Sequence, residues 1–169
     1  QPKDASAATA LEVAAGGALY QVVVDSAATS KALLQKGKLK ARVTIIPLDK
    51  VSRRTMDPAK LARARAIGKE CGGNVEAALN MVEFDDEVLP AMEYAFGSTL
   101  VCEKKVIDAK GTTLAERVCF ETKTKTVTPD GDLFDPSGTL SGGASAGRGK
   151  MLKDLDRLTC LGRDVEAAR

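Results

Sequence analysis

Residues 130–143, with the sequence DGDLFDPSGTLSGG, constrain the fold of this chain more than any other segment. Four of these fourteen residues are glycine, and they alternate with strand-forming residues instead of forming a soft linker. Glycine within an extended chain costs stability, and it marks a bulge, a sharp bend or the close approach of another backbone. We therefore predict a sheet edge whose main chain docks a second protein. The residues predicted at this interface are Gly131, Gly138, Thr139, Leu140, Ser141, Gly142 and Gly143.

Length and composition fit one domain, or two small subdomains that share a core, because the chain has 169 residues. Hydrophobic residues make up 44% of it, aromatic residues only 4%, and tryptophan is absent. Valine, isoleucine, leucine and alanine must therefore fill the core. No apolar run approaches the ~20 residues that span a bilayer, so we expect no membrane partner.

The residue types that commonly form a metal centre or an active site are scarce. The four cysteines, Cys71, Cys102, Cys119 and Cys160, match no metal-ligand spacing, and the chain has no histidine. We expect reduced, mostly buried thiols in an intracellular protein, with no metal and no cofactor. Without histidine the commonest general base is missing, so we expect no catalytic residue and no small-molecule substrate.

Two nucleotide-binding signatures are matched only in part. Gly149-Lys150 ends like a phosphate-binding loop, but Ala144 replaces its first glycine and Met151 replaces its hydroxyl residue. Residues 140–143 match LSGG, the start of the ABC-type signature, but four small residues recur by chance and no nucleotide-binding loop accompanies them. We therefore do not predict nucleotide binding.

Charge is distributed unevenly, although the net charge is only +2. Residues 31–54 hold eight basic residues and one acid, whereas residues 74–93 hold six acids and no base. In an extended chain the basic residues at alternating positions from Lys36 to Arg42 would line one side and bind phosphate weakly, without sequence preference. The alternative is a solvated lysine face. The residues predicted to contact DNA are Lys36, Lys38, Lys40, Arg42, Lys123, Lys125 and Lys150.

The first third of the chain predicts a strand, a helix and a parallel strand. Residues 20–24 are a β-branched run between glycines and polar residues, which predicts a buried strand. A helix that is capped by Ser26 or Thr29 and ended by Gly37 should follow, and residues 43–46 form the second apolar strand. This order favours a crossover unit with parallel strands.

Later segments predict two helices and three strands. Asp57-Pro58 predicts a helix over 58–70, and Asp85 or Asp86 starts another helix that Gly97 closes. Residues 98–102 indicate a strand. Residues 118–127 alternate threonine with charged residues, which predicts a strand at an edge or on a wetted face. The turn signal at 129–131 predicts a hairpin into 132–134.

The last residues predict a helix with one apolar stripe. Two interpretations remain open on periodicity alone: the start of a coiled-coil arm, or an ordinary terminal helix packed on the domain. Gly162 weakens the coiled-coil pattern. The apolar positions are Met151, Leu155, Leu158, Leu161, Val165 and Ala168.

The combined pattern resembles the hinge domain of the structural maintenance of chromosomes (SMC) proteins. Within that family it is most similar to the condensin subunit conventionally numbered second. Five segments carry the resemblance in the expected order: TALEVAAGG (9–17), LYQVVVD (19–25), KALLQKGKLKARVTIIPLDK (31–50), AMEYAFGSTLVC (91–102) and TKTVTPDGDLFDPSGTLSGG (124–143). The chain departs from the family in beginning after an expected upstream strand and in a longer stretch at 104–113.

The resemblance implies a fold of two mixed α/β subdomains between the halves of a long antiparallel coiled coil. The expected divisions are hinge subdomain I at 1–73, truncated at its N-terminus, and hinge subdomain II with the dimerisation strands at 74–145. The root of the coiled-coil arm is expected at 146–169.

The resemblance also implies a function without catalysis in this fragment. The hinge would heterodimerise with the hinge of the fourth condensin SMC subunit, and it would bind DNA, particularly single strands, for chromosome condensation. ATP hydrolysis would belong to separate head domains. The implied location is the nucleus and chromosome, and also the cytoplasm. The alternative is a nucleic-acid-binding module whose basic surface binds single-stranded DNA and whose dimerisation is secondary.

Overall fold

The computed structural model describes residues 1–103, 105–143, 151–152, 154–155, 157–159 and 161, and these form a mixed α/β fold. The helices are α1 (Ala8–Ala15), α2 (Ala27–Lys36), α3 (Pro58–Glu70), α4 (Leu89–Phe96) and α5 (Leu114–Thr122). The strands are β1 (Val22–Val24), β2 (Ile45–Pro47), β3 (Val75–Ala77), β4 (Thr99–Cys102), β5 (Lys125–Val127), β6 (Leu133–Phe134) and β7 (Leu140–Ser141). The described residues from 151 to 161 are also helical. No described helix is long and apolar enough to cross a membrane.

The strands β1 and β2 form a separate two-stranded sheet, with α2 as the crossover between them. They are parallel, as the sequence predicts, with Val22 opposite Ile45. Helix α2 begins where the Ser26 hydroxyl accepts a hydrogen bond from the Thr29 amide at 3.2 Å, and it ends at Gly37. The predicted crossover unit is confirmed.

The prediction that β1 is buried is wrong. The side chains of Val22 and Val23 are 44% and 41% exposed. A sheet of two strands with one helix has an apolar face that its own unit does not cover. The β-branched run therefore predicts a strand, but it does not predict which elements cover that strand.

The second sheet has five strands in the order β3-β4-β5-β6-β7. The central pair β4 and β5 is parallel, and every other neighbouring pair is antiparallel. The predicted hairpin after residue 131 is present as β5 and β6, with Val127 opposite Leu133. Strand β7 ends the order on one side and β3 ends it on the other.

The prediction of one strand over 118–127 is wrong. Residues up to Thr122 belong to α5, which begins where the Thr113 hydroxyl accepts a hydrogen bond from the Glu116 amide at 3.2 Å. Lys123 ends the helix in the left-handed conformation, with φ of 53°. Strand β5 then runs through the middle of the sheet, not along an edge or a wetted face. Four apolar side chains at helical spacing outweigh the alternation of threonines, and they are Leu114, Ala115, Val118 and Cys119.

The threonines that suggested a wetted face are buried because the backbone satisfies their hydroxyls. Thr122 donates from its side chain to the carbonyl oxygen of Val118 at 2.7 Å. Thr126 donates to the carbonyl oxygen of Ala115 at 2.8 Å, which ties β5 to α5. A buried hydroxyl that has a partner avoids the cost of an unsatisfied polar group.

Helices cover both faces of the five-stranded sheet. Leu11 of α1 and Phe96 of α4 share one buried cluster with Val101, and Ile67 of α3 and Val118 of α5 belong to a second cluster on the opposite face. Both α1 and α3 therefore pack on the large sheet although they precede residue 73. The subdomain division at that residue remains a prediction, and the packing associates these two helices with the C-terminal unit.

The predicted cap of α3 is confirmed, and the predicted start of α4 is wrong. The Asp57 carboxylate accepts a hydrogen bond from the Ala59 amide at 2.9 Å, and α3 matches the predicted range. Helix α4 begins at Leu89, after a 3-10 turn at Asp86–Val88, and neither Asp85 nor Asp86 caps it with its side chain. Gly97 closes α4 as predicted. Strand β4 follows immediately, so the prediction for 98–102 is confirmed within one residue.

The connection from β2 to α3 is fastened to the end of α4. A Cβ atom at Gly97 would collide with the carbonyl oxygen of Arg54, so only glycine permits this approach. The guanidinium of Arg54 lies over the ring of Tyr94, 4.8 Å from its centroid. Arg53 pairs with the nearly buried Glu93 at 3.5 Å. These contacts attach the two-stranded unit to the larger one.

Candidate partner-binding edge

The glycine-rich stretch forms the last strand of the five-stranded sheet. Strand β7 pairs with β6 through Leu133 opposite Ser141 and Phe134 opposite Leu140. No strand of the described residues pairs with its other side. The Leu140 side chain is 66% exposed. The prediction of a sheet edge is confirmed, and the predicted contact of these residues with a partner remains a prediction.

A compact turn holds β7 against β6. The Asp135 amide donates to the carbonyl oxygen of Thr139 at 2.9 Å, and the Gly138 amide donates to that of Asp135 at 2.9 Å. The Asp135 carboxylate accepts a hydrogen bond from the Ser137 amide at 2.9 Å and pairs with the Lys125 ammonium at 2.9 Å. The hydrogen bonds from Ser137, followed by the one from Lys125, hold the pKa of Asp135 well below its ordinary range.

The predicted interface glycines have different roles in the fold. Gly138 and Gly143 have φ of 95° and 111°, a region that favours glycine, and a Cβ at either would meet no atom within 4 Å. Gly142 lies against the Asp132 carboxylate. Gly131 is buried, because a Cβ there would lie 3.2 Å from Val13 and 3.3 Å from Thr9 of α1. Among the residues predicted at the partner interface, Gly131 therefore packs against helix α1 of its own chain.

A cavity lies beside β7, and we call it the edge cavity. Its volume is about 400 Å³, and it opens between α1, the turn at Gly16–Tyr20 and the β6–β7 hairpin. Its walls are mainly apolar, with Glu12 and Ser141 as polar members. The lining residues are Glu12, Val13, Gly16, Leu19, Tyr20, Gly131, Leu133 and Ser141.

A second uncovered apolar surface belongs to the two-stranded sheet. Tyr20 precedes β1 and is 72% exposed, and Val22 and Val23 of β1 are exposed on opposite faces of the strand. Tyr20 also lines the edge cavity, so the aromatic ring connects the two surfaces. The chain therefore presents an open strand edge and an open apolar sheet face.

The predicted basic face is exposed, but it is not one side of an extended chain. Lys36 is the last residue of α2, and Lys38 adopts the left-handed conformation with φ of 46°. The expected alternation along a strand is therefore wrong, because a helix end and a turn separate these residues. Lys40 and Arg42 lie in the loop that leads to β2. These four basic residues form no ion pair within the described part of the chain.

The other predicted DNA contacts lie on the larger unit. Lys123 is the exposed C-cap of α5, and Lys125 on β5 forms an ion pair with Asp135. Lys150 lies outside the described residues. The structure thus distributes the predicted set over the loop after α2 and the start of β5.

The helical residues after 151 combine one packed and three exposed leucines. Leu152 packs against the core cluster of α1, and its amide bonds to Glu12. Leu155, Leu158 and Leu161 are 51%, 65% and 52% exposed. An exposed leucine stripe favours an arm that meets another helix over a helix packed on the domain. Val165, Ala168 and Gly162 lie outside the described residues.

Two of the three cysteines that the structure describes are buried thiols, in agreement with the prediction. Burial raises the pKa of Cys102 to about 12 and also raises the pKa of Cys119. Cys71 is only half-buried and accepts a contact from the Arg117 guanidinium at 3.2 Å. Cys160 lies outside the described residues. Among the residues that the structure describes, no cluster of His, Cys, Asp or Glu could hold a metal ion.

Comparison with known proteins places this geometry in a family. The model of the SMC proteins flexible hinge domain matches residues 2–105. Structural maintenance of chromosomes protein 2-1 of Arabidopsis thaliana is 49% identical over 159 residues, which is 92% of this chain. The human structural maintenance of chromosomes protein 2 is 46% identical over 157 residues, again 92% of this chain. The chain spans only 13% and 12% of the lengths of these relatives.

Solved hinge structures have the same fold. An asymmetric dimer of the Geobacillus stearothermophilus SMC hinge domain is similar with a TM-score of 0.68 and 27% identity, covering 96% of this chain and 64% of that one. The Pyrococcus furiosus SMC hinge domain gives a TM-score of 0.60 and 26% identity, covering 87% of this chain and 70% of that one.

Proposed function

The chain belongs to the SMC flexible hinge domain family, and from this premise we propose that it is the heterodimerising hinge of a condensin SMC subunit. Its partner would be the hinge of a different subunit, of the condensin fourth type. Its relatives named structural maintenance of chromosomes protein 2 support the subunit assignment. The fragment is a structural dimerisation module, and ATP hydrolysis would belong to head domains elsewhere in the full-length protein.

The observation that carries this proposal is the unpaired outer side of β7. Two residues of strand form too few backbone hydrogen bonds to hold a partner, since each contributes about 1 kcal/mol net and association itself costs roughly 4–15 kcal/mol. Burial of exposed apolar side chains must supply the rest, at about 1.5–3 kcal/mol each. Tyr20, Val22, Val23 and Leu140 are the exposed candidates.

Both open surfaces are explained by a partner that is related by an approximate two-fold axis. In such a pair, each hinge offers β7 to the partner and receives the partner's edge near its own β1. The contact then occurs twice and closes on itself. A ring of two hinges covers the β7 edge of each hinge without leading to filaments.

Glycine substitution tests the proposal. Gly143 has open space around its Cβ position, so Gly143→Val adds bulk at the partner edge without an internal clash. Gly111 is a matched control, because it also has a positive φ, 84°, and open space, but it lies in a turn away from β7. Light scattering after size exclusion would give the mass of each variant mixed with the companion hinge.

We expect Gly143→Val to weaken partner capture by about tenfold or more, which corresponds to 1.4 kcal/mol. Gly111→Val should form the heterodimer as the unsubstituted chain does, although valine is strained at both positions because φ is positive at each. Equal heterodimer formation by the two variants would show that β7 is not the interface.

DNA binding is a second proposed activity, and the unpaired basic residues after α2 favour it. Exposed lysines without acidic partners release counterions when phosphate binds, so affinity should fall steeply with salt. Charge reversal of Lys36, Lys38 and Lys40 should weaken single-strand binding and flatten the salt dependence, without changing partner affinity. Reversal of Lys60 and Lys69 on α3 is the control. An unchanged salt slope would leave the three lysines as a solvated surface.

The same premise suggests a cellular role. As part of a condensin, the full-length protein would act on chromosomes in the nucleus and in chromosome condensation, with a further pool in the cytoplasm. The hinge would contribute subunit pairing and DNA contact to that role. Imaging of the full-length protein with Gly143→Val would test this assignment, because loss of pairing should reduce its accumulation on chromosomes.

A further inference from the structure

The helix at the end of the described chain is attached to the domain through α1. The Leu152 amide donates a hydrogen bond to Oε1 of Glu12 at 2.7 Å, and the Leu152 side chain packs against the cluster that contains Leu11. Amides in the first turn of a helix lack an internal acceptor and bond to side-chain oxygens in this way. Glu12 therefore holds Leu152 at the proposed root of the arm.

Glu12 also faces the partner edge. It lines the edge cavity together with Leu133 and Ser141 of the β6–β7 hairpin. Its neighbours Thr9 and Val13 on the same helix cover Gly131, at the start of that hairpin. A single helix of eight residues thus contacts the partner edge and the arm root.

We propose that Glu12 couples capture of the companion hinge at β7 to attachment of the arm root. This inference rests on the proposed pairing of hinges. A companion that covers the edge cavity excludes water from the Glu12 carboxylate, and the hydrogen bond to Leu152 becomes stronger in the less polar surroundings. Because coupling is reciprocal, an arm root that is held by Glu12 favours partner capture by the same factor.

Hydrogen exchange at the Leu152 amide tests this coupling. In the unsubstituted chain, saturation with the companion hinge should slow exchange at Leu152 by about fivefold or more. Glu12→Gln keeps the shape but removes the charge, and Glu12→Ala removes the acceptor. Both variants should exchange faster at Leu152. The companion should no longer change that rate in Glu12→Ala, and it should change the rate less in Glu12→Gln, whose amide oxygen can still accept the hydrogen bond. Glu87→Gln, at an exposed carboxylate beside α4, is the matched control and should behave as the unsubstituted chain does.

Three results would overturn the coupling. If the companion binds and exchange at Leu152 does not change, the coupling is wrong while the proposed pairing stands. If Glu12→Gln retains the full effect of the companion, Glu12 is not the coupling residue. If the unsubstituted chain does not bind the companion at all, the proposed pairing fails and the coupling fails with it. Should Glu12→Ala unfold, Glu12→Gln alone decides the question.

Discussion

Asp135 shows how one side chain shapes the partner edge. One carboxylate oxygen accepts from the Ser137 amide and the other pairs with Lys125. These contacts lower the pKa of Asp135 from its ordinary value of 3.8. A carboxylate whose pKa is lower in the folded state contributes stability at pH values above the unfolded pKa. That contribution is lost as the pH falls through the folded pKa.

Substitution of Asp135 should therefore have an effect that depends on pH. We expect Asp135→Asn to lower the free energy of unfolding at neutral pH, because the pair with Lys125 is lost. The difference from the unsubstituted chain should shrink as the pH falls below 3.8, because the Asp135 carboxyl of the unfolded chain then takes up a proton while the folded carboxylate does so only at a still lower pH. Denaturant titrations at several pH values measure this, with Asp86→Asn as control. A difference that stays constant down to the lowest pH would contradict this account of Asp135.

The contacts of the edge glycines and of Glu12 are only partly predictable from the sequence. The glycine pattern predicted a margin with close backbone approach, and Gly138 and Gly143 lie at that margin. The same pattern placed Gly131 among them, but Gly131 packs under Val13. Both kinds of glycine have positive φ, and only the distant helix α1 distinguishes them. Glu12 was missed because its partner Leu152 lies 140 residues away, and no local signal records that contact.

At the scale of elements, local chemistry predicts α2, α3 and the end of α4. The cap and proline at Asp57-Pro58 defined α3, and Gly37 and Gly97 ended α2 and α4 as expected. These capping and terminating residues act within one helical turn, so the local sequence is enough to predict their effect. The crossover of β1, α2 and β2 was predictable for the same reason.

The errors at this scale come from tertiary contacts. The stretch 118–127 alternates like an edge strand, yet its first half completes α5. Thr126 is buried because α5 offers it the carbonyl oxygen of Ala115. Val23 is exposed because the two-stranded sheet lacks a second covering layer. In each case a neighbouring element determines whether the side chain is buried. The periodicity of the local sequence does not indicate that neighbour.

The open face of β1 leads to a prediction about this element. Val23→Glu should leave the free energy of unfolding within about 0.5 kcal/mol of the unsubstituted value, because the side chain is already exposed. It should weaken capture of the companion hinge by about tenfold or more, since burial of one such side chain is worth roughly 1.5–3 kcal/mol. Calorimetric titration measures the affinity.

Val106 supplies the control for that experiment. It is 61% exposed and lies in the segment at 105–113, away from β1 and β7. Val106→Glu should change neither stability nor partner affinity. Equal losses of affinity for the two variants would mean that added negative charge, and not the β1 surface, weakens the complex.

In the whole molecule, the two sheets differ in how completely other elements cover their faces. Within the described residues, the larger unit buries both faces of its sheet under helices and leaves the outer sides of β3 and β7 unpaired. The smaller unit leaves an apolar face uncovered, and the contacts of Arg53 and Arg54 fasten it to α4. A hinge that pairs reciprocally with a second hinge would complete both units in one step. The proposed DNA binding would use the basic segment at 31–54, since the charge asymmetry with 74–93 favours phosphate on that side.

Residue-resolved hydrogen exchange with and without the companion hinge tests the central claim most directly. The claim is that the open main chain of β7 receives the second subunit, and β3, at the opposite end of the same sheet, is the internal control. We predict that the companion slows exchange of the amides at 139–143 and in β1, and leaves β3 unchanged. A heterodimer that forms without slowing exchange at β7 would contradict the account.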